Sequence, residues 1–275
     1  MLSRVLTLTL AIAALAGCST NPAGEGKQRV VAGFYPLEFL AERIGGDAVS
    51  VTTLAQPGAE PHDLELKPSQ VVQITDADLV LYLKGFQPEL DEAVEQKTEG
   101  KSFDVTTASP LVGGDPHIWL DPSRMATLAD AVGRRLNQPE AAKVLQTELI
   151  KLDTEFAAGL KSCQRRQIVT SHDAFGYLAR RYQLEQIPIT GLTPEGEPTP
   201  QQLREVKQKA QQTGATTIFF ETLVSPAVAE TLANEIGAKT AVLDPLEGLE
   251  AGSSEDYFSV MRINLDTLRE ALGCS

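Results

Sequence analysis

Three histidines make up the whole imidazole complement of this 275-residue chain, and each lies beside an acidic residue. They occur as Glu60-Pro61-His62-Asp63, Asp115-Pro116-His117-Ile118-Trp119 and Ser171-His172-Asp173. None falls within a helical apolar stripe. His172 directly follows the apolar run 167–171, Glu221 follows 216–220, and Asp244 follows 239–243. Ligands of parallel α/β sheets collect where strands end, so these placements favour a site. Neutral imidazoles with a carboxylate suit a divalent cation. Nitrogen and oxygen donors at about 2.0–2.2 Å in tetrahedral array favour zinc. Manganese usually takes more hard oxygens, which three histidines disfavour. Pro61 and Pro116 stiffen their loops and reduce the ordering cost of binding. Asp63, Asp115 and Asp173 are each close enough in sequence to hold the far N–H of a ligating ring. The bland alternatives are packed structural histidines and, for Asp244, a turn cap before Pro245.

The elements that must position these residues read as two α/β halves. In the first, 29–34, 49–55 and 77–83 are apolar runs of strand type, separated by helical patterns. In the second, 167–171, 186–190, 216–220 and 239–243 repeat the theme. Thr199-Pro200 with Gln202 predicts a capped helix start, and Gly214 its end; Ser225-Pro226 opens another, which Gly237 closes. Strands alternating with helices imply mostly parallel sheets. Between the halves, Leu145, Leu149, Leu152, Phe156 and Leu160 share one stripe of a helix expected over about 139–161. At roughly 22 residues it would extend about 33 Å, a stiff spine. Phe258, Met261, Leu265, Leu268 and Leu272 mark a last helix as core packing.

Composition narrows the classes. The formal net charge of −13 argues against nucleic acid, and 42% hydrophobic residues argue against a disordered chain. After the first twenty residues no 18-residue apolar run remains to span a membrane. The N-terminus carries Arg4, an apolar run over 5–16 and then Gly17-Cys18, the pattern of a secretory leader. Leu15-Ala16-Gly17-Cys18 resembles the bacterial lipobox, with Cys18 as the lipidated first residue of the mature protein. Residues 1–17 are then a signal peptide and 18–27 a flexible tether. Outside the cytosol thiols tend to pair, and with Cys18 lipidated the remaining two predict a Cys163–Cys274 disulfide.

Five segments together resemble the ZnuA-like zinc- and manganese-binding lipoproteins, substrate-binding components of bacterial ABC importers. They are 56–69 (QPGAEPHDLELKPS), 114–122 (GDPHIWLDP), 170–177 (TSHDAFGY), 219–226 (FFETLVSP) and 242–248 (VLDPLEG). The resemblance covers the whole mature chain. It implies an α/β fold of two lobes, each a mostly parallel sheet flanked by helices. One long rigid helix joins the lobes, and the metal lies in the cleft between them. The corresponding boundaries are 28–138 for the N-terminal lobe, 139–162 for the spine and 163–275 for the C-terminal lobe. By motif, the resemblance implies His62 and His117 as ligands from the first lobe and His172 and Asp244 from the second. Glu221 is left between direct contact and a place behind a ligand or lining the cleft, with the latter favoured. The His-rich loop of many zinc-type members is missing, since 103–113 contains no histidine.

The implied function is extracytoplasmic capture of Zn2+, with Mn2+ the less favoured cargo, for an ABC permease driven by a cytosolic ATPase. The chain would work as a lipid-anchored monomer in the periplasm or on the outer face of the cell membrane. No enzymatic activity is implied. The rival is a secreted zinc hydrolase with Glu221 as general base. Against it, the sequence has no His-Glu-x-x-His and no nucleophile-elbow glycine pattern.

Overall fold

A computed structural model describes residues 26–194 and 196–275 of the chain. The expected leader and lipidated Cys18 lie outside the described residues. Chain order runs β1 (Gln28–Ala32), α1 (Tyr35–Gly45), β2 (Val49–Thr53), α2 (Pro68–Asp76), β3 (Leu79–Tyr82), α3 (Pro88–Lys97) and β4 (Ser102–Asp104). Two long helices follow, α4 (Pro122–Arg135) and α5 (Pro139–Gly159). The second half is β5 (Gln167–Thr170), α6 (Gly176–Tyr182), β6 (Glu185–Pro188), α7 (Pro200–Gln212), β7 (Thr217–Phe220), α8 (Ala227–Ile236), β8 (Lys239–Val242) and α9 (Tyr257–Leu272).

Each half builds a four-stranded, wholly parallel sheet, in the orders β2-β1-β3-β4 and β6-β5-β7-β8. Val30 at the centre of the first faces Val51 on one side and Leu79 on the other. Val169 of the second stands likewise between Ile187 and Ile218. Helices cover both faces, so the inner strands carry buried apolar residues, Val30 and Val31 in β1, Leu79, Val80 and Leu81 in β3, Ile168 and Val169 in β5, Ile218 and Phe219 in β7. In both sheets the winding direction reverses beside the first strand, between β1 and β3 and between β5 and β7. Such a reversal opens a crevice at the carboxyl ends of the strands. Strand β4 is an addition to the sequence expectation: its three residues Ser-Phe-Asp bury only Phe103, too little for a periodic signal.

The predicted spine helix is present as α5, with Leu145, Leu149, Leu152 and Phe156 buried along one stripe. It packs on α4 and α1 from the first half and on α9 from the second. The approach to α4 is close: a Cβ at Gly133 would collide with the Ala142 methyl, so this crossing favours glycine. One contiguous core runs through both halves, from Phe34 and Trp119 through Phe156 to Tyr182 and Tyr257. The Trp119 indole donates to the Pro245 carbonyl at 2.7 Å, and the Tyr257 hydroxyl donates to the Trp119 carbonyl at 2.7 Å. This shared core resists a wide opening of the two halves. The expected Thr199/Gln202 capping box starts α7, and Asp256 with Ser259 starts α9 in the same way. Cys163 and Cys274 form the expected disulfide, fastening the end of α9 ahead of β5. Among the described residues no helix is long and apolar enough to cross a membrane.

Candidate metal centre

His62 is carried on the loop after β2 by a short helical turn, Pro61–Asp63. The Glu60 carboxylate caps that turn, accepting the His62 backbone N–H at 3.1 Å. Buried Gln87 donates to the carbonyls of Pro61 and Gly33, at 3.1 and 3.2 Å, and so pins the loop to the end of β1. The His62 ring meets Phe86 edge-on at 4.5 Å.

His117 follows a tight reversal over Gly113 and Gly114, whose φ of 67° and 80° place both in the left-handed region. A turn with two such residues strongly favours glycine. It delivers Asp115, whose Oδ1 accepts the His117 backbone N–H at 3.0 Å and lies 2.9 Å from His117 Nδ1. A carboxylate there accepts only, so Nδ1 carries the proton and Nε2 is presented to the cleft.

His172 stands at the carboxyl end of β5, beside the winding reversal. Thr170 Oγ1 and Gln186 Nε2 both donate to its carbonyl, at 2.8 and 2.9 Å. Glu221, at the end of neighbouring β7, sets its Oε1 2.8 Å from His172 Nδ1 and accepts the Ser171 hydroxyl at 2.5 Å. Glu221 thus lies behind His172, on the nitrogen turned from the cleft.

The fourth group is Glu247, where sequence reasoning expected Asp244. The Asp244 carboxylate accepts the Leu246 N–H at 2.7 Å and the Thr222 hydroxyl at 3.1 Å, closing an Asx turn. Its backbone is gripped by Asn264 of α9, which donates to the Asp244 carbonyl and accepts from its N–H. Leu246 then takes a left-handed φ of 57°, which swings Glu247 inward. Glu247 Oε1 lies 2.9 Å from His117 Nε2, 3.3 Å from His172 Nε2 and 3.4 Å from His62 Nε2. His117 and His172 Nε2 are themselves 3.4 Å apart. A tetrahedron with bonds of about 2.0–2.2 Å has edges of about 3.3–3.6 Å. The cluster is therefore close to the size that a small tetrahedral cation requires, and all four donor atoms lie within 4.8 Å of one another.

Electrostatics agree with the geometry. His117, His172 and Glu247 are almost wholly buried. Burial pulls the His172 imidazole down, but Glu221 and Glu247 outweigh it and lift the group to about 10. His117 is raised too, Asp115 and Glu247 overcoming burial and the neighbouring His172. Glu247, which burial alone would raise, is held well below the carboxylate range by the surrounding imidazoles. Without a cation, protons balance this site. Among the described residues Glu247 Oε2 has no hydrogen-bond partner, and the four donors offer three borderline nitrogens and one hard oxygen. That is a zinc donor set. Of the three candidate aspartates, Asp115 holds an imidazole; for His172 that task falls to Glu221, which is remote in sequence, in place of Asp173.

Residues 30–271 match the family described as ZnuA, zinc-uptake complex component A, periplasmic. The chain belongs to this family. The zinc-binding protein AdcA of Streptococcus pyogenes serotype M6 is 34% identical over 289 residues, covering 89% of this chain and 56% of the relative. The chain thus spans about half the length of that relative. The high-affinity zinc uptake system protein ZnuA of Bacillus subtilis is 31% identical, covering 96% of this chain and 94% of the relative. Among solved structures, the Zn(II)-bound ZnuA-like domain of Streptococcus pneumoniae AdcA superposes with a TM-score of 0.75 at 32% identity. That match covers 90% of this chain and 99% of the domain. The ZnuA family's α/β architecture of two parallel sheets flanked by helices is the one observed here.

Proposed function

We propose that the chain is the extracytoplasmic zinc-capturing component of an ABC importer, holding Zn2+ through His62, His117, His172 and Glu247. The observation that carries this reading is the convergence of three imidazole nitrogens on one carboxylate oxygen, at 2.9 to 3.4 Å. The zinc-binding relatives and the Zn(II)-bound neighbour point the same way. Four protein donors close the coordination sphere, and a hydrolytic zinc needs an open position for water. This chain accordingly captures and does not catalyse. Glu221, engaged with His172 and Ser171, is poorly placed as a general base.

In this reading residues 28–138 and 163–275 act as two lobes, with α5 as their spine. A lipid on Cys18 holds the monomer to the membrane, where a permease and its cytosolic ATPase accept the cargo. The shared core limits lobe motion. Elemental analysis of protein purified without added metal, followed by competition titration against a zinc chelator, tests the proposal. One tightly held zinc per chain is expected. Failure to retain stoichiometric zinc against a micromolar chelator overturns it.

A further inference from the structure

Asp115 belongs by sequence to the first half, yet it is seated against α6 of the second. Its Oδ1 is committed to His117, through both the backbone N–H and Nδ1. Its Oδ2 faces Arg180 at 3.5 Å. The Tyr177 hydroxyl donates to the Asp115 carbonyl at 3.0 Å and accepts the Val112 N–H at 2.8 Å, clasping both ends of the Gly113-Gly114 turn. Helix α6 begins four residues after His172. The element that continues from one histidine therefore holds the loop of another.

The point of closest approach is Gly176. Its backbone is ordinary right-handed helix, so conformation does not demand glycine there. Space does: a Cβ would stand 2.6 Å from Asp115 Oδ2 and 3.3 Å from Arg180 Nη1. A methyl group must displace the Asp115 carboxylate, and that carboxylate cannot turn without loosening its hold on His117.

We propose that Asp115 is a positioning residue that orients His117, and that Gly176 is the site on α6 whose lack of a side chain lets it do so. His117 and His172 then form a preassembled pair, while His62 and Glu247 complete the site from loops of their own. This rests on the zinc-binding reading for its affinity readout, but the tie itself is a property of the metal-free chain.

The test is a double-mutant cycle on the full chain with Zn2+ as probe. Asp115→Ala and Gly176→Ala are each expected to weaken zinc binding about 10- to 100-fold, the usual range when the group behind a ligating histidine is lost. The double variant should bind within about twofold of Asp115→Ala alone, since the added methyl then has nothing to displace. Asp115→Asn, which keeps an acceptor oxygen, should recover most of the affinity. Imidazole 15N NMR of the metal-free proteins supplies an independent reading. Both single variants should move the His117 Nδ1 signal. Fully additive losses, or an unmoved His117 signal in Gly176→Ala, overturn the inference. If the wild-type chain itself fails to bind zinc, the proposed function falls, and the NMR arm still decides the tie.

Discussion

Glu247 Oε1 and His117 Nε2 meet at 2.9 Å although 130 residues separate them in the chain. Each is anchored separately, His117 by Asp115 and the Glu247 loop by the Trp119 indole on the Pro245 carbonyl. The contact is thus set by the fold before any ion arrives. The protons now balancing it are what a cation must displace.

That displacement is measurable. His172 titrates near 10, so at pH 7 it carries a proton that zinc must expel, and His117 is shifted in the same direction. Calorimetric titration at pH 7 in buffers of different ionisation enthalpy should reveal proton release of between one and two per zinc. Affinity should fall as pH is lowered. A binding enthalpy independent of the buffer contradicts this account.

The same shifts set the stability of the metal-free protein. A histidine raised from 6.5 to about 10 stabilises the fold fully below 6.5 and loses that contribution as pH rises through 10. Glu247, lowered from 4.5, stabilises above 4.5 and loses its contribution as pH falls. The metal-free melting temperature should therefore decline from pH 6.5 towards 10. The zinc-loaded protein, with its imidazoles already deprotonated, should decline less over that window. Parallel thermal scans of the two forms, with equal slopes as the contrary result, decide the matter.

Substitution separates the two acids of the VLDPLEG segment. Glu247→Ala should weaken zinc binding more than about 100-fold, because it removes a ligand and leaves three buried imidazoles facing one another. Asp244→Ala should cost about 1 kcal/mol of stability through the lost Asx-turn hydrogen bond, with affinity changed only a few-fold. Competition titration and thermal unfolding of both variants distinguish them. The reverse pattern would return Asp244 to the site.

Much of this arrangement was legible in the sequence, for identifiable reasons. Strand β5 has the apolar pair Ile168-Val169 at its centre with His172 just past its end, and the carboxyl end of a parallel strand is where a ligand belongs. The α5 stripe is a regular helical period, and the capping box of α7 is a local chemical signal. Asp244 was expected as the ligand from the family motif and from its place just past the run 239–243. The choice of Glu247 depends on a left-handed Leu246 and on Asn264 gripping the turn from α9, and no neighbouring residue type announces either. Glu221 on His172 Nδ1 was equally hidden, since it requires β5 and β7 to be neighbours in the sheet. Helix α4 did carry signals: Asp121, whose carboxylate accepts the Ser123 and Arg124 N–H groups, Pro122 in its first turn, and the buried Met125, Leu128 and Val132.

The last prediction concerns the disulfide, which closes a loop of 111 residues between the start of the second half and the end of α9. Replacing both cysteines, Cys163→Ser with Cys274→Ser, should cost about 2–5 kcal/mol of stability, chiefly by freeing the unfolded chain. The metal centre is fastened by other means: Asn264 holds the turn before Glu247 from the middle of α9, and Trp119 holds its Pro245. The double variant should therefore melt earlier yet bind one zinc with wild-type affinity at 25 °C. A loss of zinc affinity matching the loss of stability would mean that the anchoring of α9 reaches the site through Asn264. In that event the core alone would not suffice to hold Glu247 in place.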